Sequence, residues 1–189
     1  MAHGLSREQR RTLLELARGT VEAVVRGDPP PSWPTDEPQL AAAGAAFVTL
    51  RERDSGDLRG CRGEIEAVRP LAQSVIDGAI AAALDDPRFP PVTIREVSGL
   101  ALEVSILTPM RAVAAAEVEV PRHGVMIEFR GRRGLLLPQV AAEAGWGREQ
   151  LLAGVCRKAG LPPQSWRDPA ARLLVFEADV WGDDEPFEE

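Results

Sequence analysis

The first part of the chain carries a hydrophobic pattern with the period of an α-helix. Apolar residues recur on one face at Leu13, Ala17, Val21 and Val24. Ser6, followed three residues later by Gln9, has the pattern of a capping box, in which each side chain accepts a hydrogen bond from the backbone N–H of the other. The pattern predicts a helix over residues 6–26. The proline-rich stretch 28–38 cannot continue it and is expected to be an extended surface loop.

Alternating apolar and polar positions, bounded by turn residues, indicate β-strands. The predicted strands span residues 45–53, 58–66, 100–107, 125–129, 134–137 and 172–180. The turn 54–57 joins the first two strands, and the turn 130–133 joins the fourth and fifth. The chain is therefore expected to contain two β-hairpins.

A helix opened by proline is predicted after each hairpin. Pro70 begins an apolar stretch that ends at residue 84, and proline is accepted there because the first helical N–H has no partner within the helix. Pro138 opens the second helix, which is interrupted by glycines and resumes over residues 148–159. The order of hairpin and helix thus occurs twice, which indicates an internal duplication in an α+β fold.

The length and the apolar content are sufficient for one domain with its own core. With 189 residues, of which 44% are hydrophobic, the chain can bury a sizeable core without disulfides or a structural metal. We expect a single domain over residues 6–182. The acidic tail 183–189 has only Phe187 to bury, and we expect it to be poorly ordered.

Most of the negative charge belongs to that tail. The formal net charge is −7, and the tail contributes five negative charges, which leaves −2 for residues 1–182. A nearly neutral body lacks the basic surface that nucleic-acid binding requires. An aromatic content of 5%, with no tyrosine, also leaves few side chains for stacking on bases. The composition argues against a nucleic-acid partner.

The sequence predicts a soluble, cytoplasmic protein with no metal site. It has no run of about 18 apolar residues, as a membrane span would require, and no signal-peptide pattern at its N-terminus. Two cysteines, Cys61 and Cys156, are too few for a disulfide framework and would stay reduced in the cytoplasm. Together with His123, the one histidine beyond the N-terminus, they make a poor set of metal ligands. The residues identify no cofactor.

Cys61 is the leading candidate for chemistry. Arg59 and Arg62 would stabilise its thiolate, while Gly60 and Gly63 would let a substrate approach it. The same four neighbours, with Glu64, are the candidate substrate-binding residues. The alternative is that Cys61 is a small buried residue on a strand whose glycines only let another backbone come close.

His123 is the candidate catalytic partner of Cys61. A histidine beside a thiolate would complete a Cys-His pair, and Glu64 or Glu128 would orient the imidazole. The sequence does not show whether Cys61 and His123 meet.

Two further features have simpler interpretations. Cys156 lies on the apolar stripe of the last helix, where a packed structural cysteine is expected. Arg130, Arg132 and Arg133 form a basic hairpin tip that would suit phosphates, although a solvated turn is the commoner meaning of such a run.

The segment Leu58-Arg59-Gly60-Cys61-Arg62-Gly63 closely resembles the signature of the AMMECR family. Other blocks similar to the family occur in the same order at residues 86–93, 102–109, 123–125, 134–141 and 156–161. The resemblance covers roughly residues 10–182. It implies an α+β fold with two unequal subdomains, in which a mainly antiparallel sheet is packed by helices and a cleft lies beside the hexapeptide. One departure is Arg62, which stands where the family usually has an apolar residue.

The resemblance implies no established reaction, so two functional hypotheses follow. In the first, the protein is a cysteine-dependent enzyme or redox component that acts with a Memo-like protein and a radical-SAM protein through the cleft at Cys61. In the second, it is a non-catalytic adaptor whose cleft recognises a small molecule or a partner peptide. The reactivity of the Cys61 thiol distinguishes them.

Overall fold

Helices and strands are interspersed along the chain in the computed structural model, which describes residues 4–33 and 36–183. The helices are α1 Arg7–Arg26, α2 Pro38–Ala41, α3 Leu71–Leu84, α4 Pro138–Glu143 and α5 Arg148–Lys158. The strands are β1 Ala45–Glu52, β2 Leu58–Gly63, β3 Leu100–Leu107, β4 Arg111–Val113, β5 Gly124–Phe129, β6 Arg132–Leu136, β7 Arg172–Phe176 and β8 Ala178–Gly182. Their pairing is antiparallel between β1 and β2, β1 and β3, β4 and β7, β5 and β6, and β5 and β7. The predicted α+β class is confirmed.

Helix α1 begins where the sequence predicts. The Gln9 N–H donates to Ser6 Oγ at 3.2 Å, and the Ser6 N–H donates to Gln9 Oε1 at 2.9 Å, so both halves of the capping box are formed. Gly27 ends the helix in the left-handed conformation, at a φ of 83°. The predicted bounds of this helix are confirmed.

The first of two compact units comprises, among the described residues, 4–33, 36–107 and 179–183. Its four strands lie in the order β2-β1-β3-β8. Side chains from one face of the sheet, including Val48, Leu50 and Val104, share a buried core with Leu13 of α1 and Val75 of α3. Each such side chain contributes roughly 1.5–3 kcal/mol when fully buried.

The second unit comprises Thr108–Ala178, and its four strands lie in the order β4-β7-β5-β6. Ile127 and Val175 of the sheet pack with Leu151 and Val155 of α5 in a second core. The two unequal subdomains expected from the family resemblance correspond to these two units.

The two units repeat one topology. In each sheet the second strand of a hairpin lies at the edge, the first strand lies beside it, and the strand that follows the helix comes next: β2-β1-β3 in the first unit and β6-β5-β7 in the second. The fourth strand differs in origin, because β8 follows β7 along the chain and β4 follows β3. The predicted repetition of hairpin and helix is therefore present in the element order.

A glycine on the second strand of each hairpin allows the helix backbone to come close. A Cβ at Gly60 of β2 would collide with the carbonyl oxygen of Ala82 in α3. A Cβ at Gly134 of β6 would lie 2.7 Å from the carbonyl oxygen of Val155 in α5. Both contacts would be closer than any that real Cβ atoms make. Any side chain at either position would therefore push the helix away from the sheet.

Several predicted boundaries differ from the structure. The strand predicted over 172–180 is two strands, because the chain leaves one sheet at Phe176 and joins the other at Ala178. The strand predicted over 58–66 ends at Gly63. The short strand β4 and the short helix α2, which Pro38 opens, were not predicted.

Asp183, the first residue of the predicted acidic tail, belongs to the fold of the first unit. Its carboxylate accepts hydrogen bonds from Arg18, from Arg53 at 3.4 Å and from the Leu102 N–H at 2.9 Å. Its own N–H donates to the Leu102 carbonyl at 3.0 Å. The prediction of a poorly ordered tail otherwise concerns residues 184–189, which lie outside the described part of the chain.

We expect Gly60→Ala and Gly134→Ala each to lower the free energy of unfolding by about 1–3 kcal/mol, because the added methyl group overpacks the contact between helix and sheet. The matched control is Gly99→Ala, since nothing lies within 4 Å of a Cβ at that position. Urea unfolding of the three variants measures the effect. Equal stabilities for Gly60→Ala and Gly99→Ala would contradict the close approach at Gly60.

We expect Asp183→Ala to destabilise the protein by about 1–3 kcal/mol, because it leaves two arginines and a backbone N–H without their charged acceptor. Asp54→Ala is the control, since Asp54 lies exposed in the turn between β1 and β2. Thermal unfolding should show a lower Tm for the first variant only. An unchanged Tm would mean that these contacts add nothing to stability.

Candidate functional site

The Cys61 side chain lies on the face of the first sheet opposite to the one on which α1 and α3 pack. Cys61 pairs directly with Thr49 of β1, and directly opposed residues point to the same face. The Thr49 hydroxyl donates a hydrogen bond to Cys61 Sγ at 3.3 Å. Thr49 is buried, whereas Cys61 is partly exposed. The sulfur thus has a hydrogen-bond donor beside it, in a residue that is partly exposed.

The outer edge of β2 at Cys61 is bound by a loop instead of a strand. The Cys61 N–H donates to Asp86 Oδ2 at 2.9 Å, and the Cys61 carbonyl accepts from Arg88 Nη2 at 3.3 Å. A carboxylate and a guanidinium therefore replace the acceptor and donor that a neighbouring strand would supply. This loop follows α3, whose C-terminal end packs on Gly60, so the helix carries Asp86 to the strand edge.

Asp86 and Arg88 form a tight pair. Arg88 Nε and Nη2 donate to the two oxygens of Asp86 at 2.9 and 2.6 Å, and the Arg88 N–H adds a bond at 3.1 Å. These contacts, led by the side-chain hydrogen bond from Arg88, hold the pKa of Asp86 far below its ordinary value. The pKa of Arg88 is raised, first by Asp86 and further by interactions with Cys61. A permanently charged guanidinium therefore lies beside the thiol.

Arg59 lies in the same cluster but is 7% exposed. Its Nε donates to Glu96 Oε1 at 2.8 Å. Hydrogen bonds from Arg59 and then Thr93 lower the pKa of Glu96 to about 2. The Arg59 guanidinium lies 5.8 Å from the centre of the Phe89 ring, and that of Arg88 lies 5.5 Å from the same centre. Both guanidinium groups are thus within cation–π distance of Phe89.

The remaining predicted substrate-binding residues have structural contacts or point elsewhere. A Cβ at Gly63 would lie 2.5 Å from the Phe47 Cα, so this glycine, like Gly60, is required by packing of the backbone. Glu64 forms an ion pair with Arg69 at 2.9 Å. Arg62 is exposed, and strand alternation places its side chain on the face opposite to Cys61.

His123 belongs to the second unit, whereas Cys61 belongs to the first. The His123 ring is 1% exposed, and its Nδ1 accepts the Glu119 N–H at 3.0 Å, so the proton of the neutral ring is on Nε2. Burial, and then the charge of Arg111, lower the pKa of His123. The lone pair of the neutral ring is on Nδ1, where it accepts the Glu119 N–H. In this arrangement His123 does not match the predicted base. The Cys61–His123 pair stays a prediction.

The other predicted candidates have partners within the second unit. Glu128 forms ion pairs with Arg133 at 2.9 Å and Arg172 at 3.2 Å. At the hairpin tip, Arg132 donates to the Gly160 carbonyl at 2.5 Å, and the Arg130 guanidinium lies 4.9 Å from the centre of the Phe129 ring.

Cys156 is a core residue, as the sequence predicts. It is fully buried, and burial raises the pKa of its thiol. The backbone of Trp166 and Ser165 acts on this pKa in the opposite direction.

Neither of two surface depressions in the described part of the molecule is lined by Cys61. One lies at Arg51, Glu103 and Trp181 in the first unit, and the other surrounds the hairpin tip at Arg130 in the second. Within residues 4–33 and 36–183, no three His, Cys, Asp or Glu side chains are arranged to hold a metal ion. Nor is any helix in those ranges long and apolar enough to cross a membrane. The cleft beside the hexapeptide stays a prediction of the resemblance.

The AMMECR1 family model matches residues 14–181. The chain belongs to the AMMECR1 family. A protein from Methanothermobacter thermautotrophicus is 42% identical over 95% of this chain and 97% of its own length, and one from Methanopyrus kandleri is 36% identical over 98% and 94%. The crystal structure of an uncharacterized protein from Pyrococcus horikoshii matches with a TM-score of 0.86 at 37% identity, covering 94% of this chain and 92% of that chain.

Membership of the AMMECR1 family supplies the fold and leaves the reaction open, since these relatives are named without an activity. The site residues that sequence reasoning missed are Thr49, Asp86, Arg88, Phe89 and Glu96. Three of them lie in the family block 86–93, which was recognised in the sequence. Nothing in the sequence indicated that this block binds the edge of β2 at Cys61.

We expect Asp86→Asn to destabilise the protein at neutral pH, because the Cys61 N–H and Arg88 lose their charged acceptor. The pKa of Asp86 is lower in the folded state than its ordinary value of 3.8, so its stabilisation is complete above about pH 4 and is lost as the pH falls below it. The difference in unfolding free energy between wild type and variant should therefore shrink from pH 6 to pH 3.

Asp85→Asn is the matched control for this measurement, because Asp85 is the exposed neighbour of Asp86 at the end of α3. It should leave the unfolding free energy nearly unchanged throughout that range. A difference between wild type and Asp86→Asn that does not change with pH would contradict an ionised, stabilising Asp86.

Proposed function

We propose that this AMMECR1-family protein is a cysteine-dependent enzyme, or a component of one, in which Cys61 is the nucleophilic thiol. The observation that carries the proposal is the environment of the sulfur. It accepts a hydrogen bond from Thr49, interacts with the Arg88 cation and remains partly exposed. Reactive cysteines occur in partly exposed, electropositive surroundings of this kind, whereas structural cysteines are buried like Cys156.

The residues around the sulfur suit attack on an electrophilic carbon. The Thr49 hydroxyl donates a hydrogen bond to the sulfur, and the Arg88 guanidinium is a fixed positive charge that interacts with Cys61. The Asp86 contact to the Cys61 N–H keeps the strand from shifting, so the sulfur is held in one position relative to Arg88. In the reaction class proposed, the thiolate forms an S–C bond and a leaving group departs with the electron pair of the broken bond.

The proposal does not require His123 as the base. His123 is buried, and its Nδ1 already accepts the Glu119 N–H, so the proposal rests on the contacts of the Cys61 sulfur itself. Action together with Memo-like and radical-SAM partners stays an implication of the family resemblance.

We expect Cys61 to react with iodoacetamide at neutral pH in the folded protein, and Cys156 to react only after unfolding. Mass spectrometry of the two cysteine-containing peptides over time measures both rates. Thr49→Val, which removes the hydroxyl but keeps the shape, should slow Cys61 about two- to tenfold, the range of one hydrogen bond worth about 0.5–1.5 kcal/mol.

Cys61→Ser serves as the control for labelling and for stability. It should abolish the fast labelling while keeping a Tm close to wild type, because a partly exposed sulfur contributes little packing. If both cysteines of the folded wild type are inert, the enzyme proposal fails and the adaptor hypothesis is favoured. A loss of several degrees in the Cys61→Ser variant would identify Cys61 as a core residue instead.

A further inference from the structure

The cluster around Cys61 has more hydrogen-bond donors than acceptors. Both Asp86 oxygens are occupied by Cys61 and Arg88, and Glu96 accepts from Arg59 and Thr93. The acceptors of the two ion pairs are therefore already bound. Any further hydrogen bonds in this cluster must come from the donors of the two guanidinium groups.

Of the two arginines, Arg59 gives the stronger indication of a missing hydrogen-bond acceptor. It is 7% exposed, and only its Nε is bound to Glu96. No described residue offers a hydrogen-bond acceptor to its buried Nη1. A buried guanidinium N–H without a partner is destabilising. Such a group calls for an acceptor from outside the chain, either water or a bound ligand.

Arg88 continues this donor set toward the thiol. Its Nε and Nη2 are bound to Asp86, Nη2 also reaches the Cys61 carbonyl, and about half of its side chain is exposed. The Arg59 and Arg88 guanidinium groups both lie against the Phe89 ring. The two groups are thus parts of one cluster with Cys61 at its edge.

We propose that Arg59 and Arg88 form a binding site for the oxyanion of a small-molecule substrate, a carboxylate or phosphate, next to Cys61. The inference rests on the proposed function, because the anion would position an electrophilic carbon for the Cys61 thiolate. Guanidinium groups are the preferred partners of both oxyanions, and Arg59 Nη1 is a donor that no described residue binds.

Two alkylating reagents of nearly equal size test the proposal. Iodoacetate carries a carboxylate and iodoacetamide does not. Both react by the same step, in which the Cys61 sulfur forms a bond to the CH₂ carbon and iodide leaves with the electron pair. We expect the ratio of the iodoacetate to the iodoacetamide rate constant to be on the order of tenfold higher for Cys61 than for glutathione, because a local positive site raises the concentration of the anion.

Competition in the wild-type protein gives an independent readout. Inorganic phosphate should slow the iodoacetate reaction with saturation, while sodium chloride at the same ionic strength should slow it much less. This measurement keeps the test valid if Arg59→Gln or Arg88→Gln fails to fold.

The variants locate the site. Arg88→Gln should lower the reagent ratio toward that of glutathione, and Arg59→Gln should lower it as well. Arg62→Gln removes the same charge from the adjacent position of β2, but on the opposite face, and should leave the ratio nearly unchanged.

The outcomes separate the two proposals. If Cys61 reacts rapidly with iodoacetamide but its reagent ratio equals that of glutathione, the anion site is wrong and the reactive thiol stands. If Arg62→Gln lowers the ratio as much as Arg88→Gln does, the effect comes from the summed positive charge of the surface and not from a local site. The anion site is wrong in that case too. If Cys61 reacts with neither reagent, both proposals fail.

Discussion

The carboxylate of Asp86 is the group on which the arrangement around Cys61 depends. A nearly buried carboxylate destabilises a protein unless its oxygens are bound by donors, and Asp86 meets that requirement with Arg88 and the Cys61 N–H. The same contacts occupy the exposed edge of β2, where an unpaired strand would otherwise invite pairing with another chain. Arg88, held in place by this carboxylate, is the cation that interacts with Cys61.

The position of Asp86 is in turn set by how closely α3 packs on the sheet. Gly60 lets the end of this helix touch β2, and the loop that follows the helix then reaches Cys61. The second unit has the same close approach at Gly134, yet no cysteine stands beside it on β6. A glycine at this position therefore belongs to the repeated topology, and the chemistry of the site depends on Cys61 and its polar neighbours.

The contrast between the two cysteines follows from their elements. Cys156 lies inside a helix, on the face that is buried in the core of the second unit. Cys61 lies on an edge strand, on the face that α1 and α3 do not cover, where its sulfur stays partly exposed. Burial favours the neutral thiol of Cys156, whereas a hydroxyl and a guanidinium adjoin Cys61. Burial also favours the neutral form of His123, because it lowers the pKa of the imidazole. The neutral ring accepts the backbone N–H of Glu119 in its own loop.

Local patterns determined much of this protein without any knowledge of the tertiary structure. The capping box of α1, the turns of both hairpins, the prolines that open helices and the hexapeptide around Cys61 all depend on residues a few positions apart, so they can be recognised from spacing. Contacts between distant segments could not be recognised in that way. The hydrogen bonds of Asp86 to Cys61, the stacking of Arg59 and Arg88 on Phe89, and the division of residues 172–180 between two sheets were decided by the tertiary structure, because each depends on how helices and strands pack and not on which residues are neighbours in sequence.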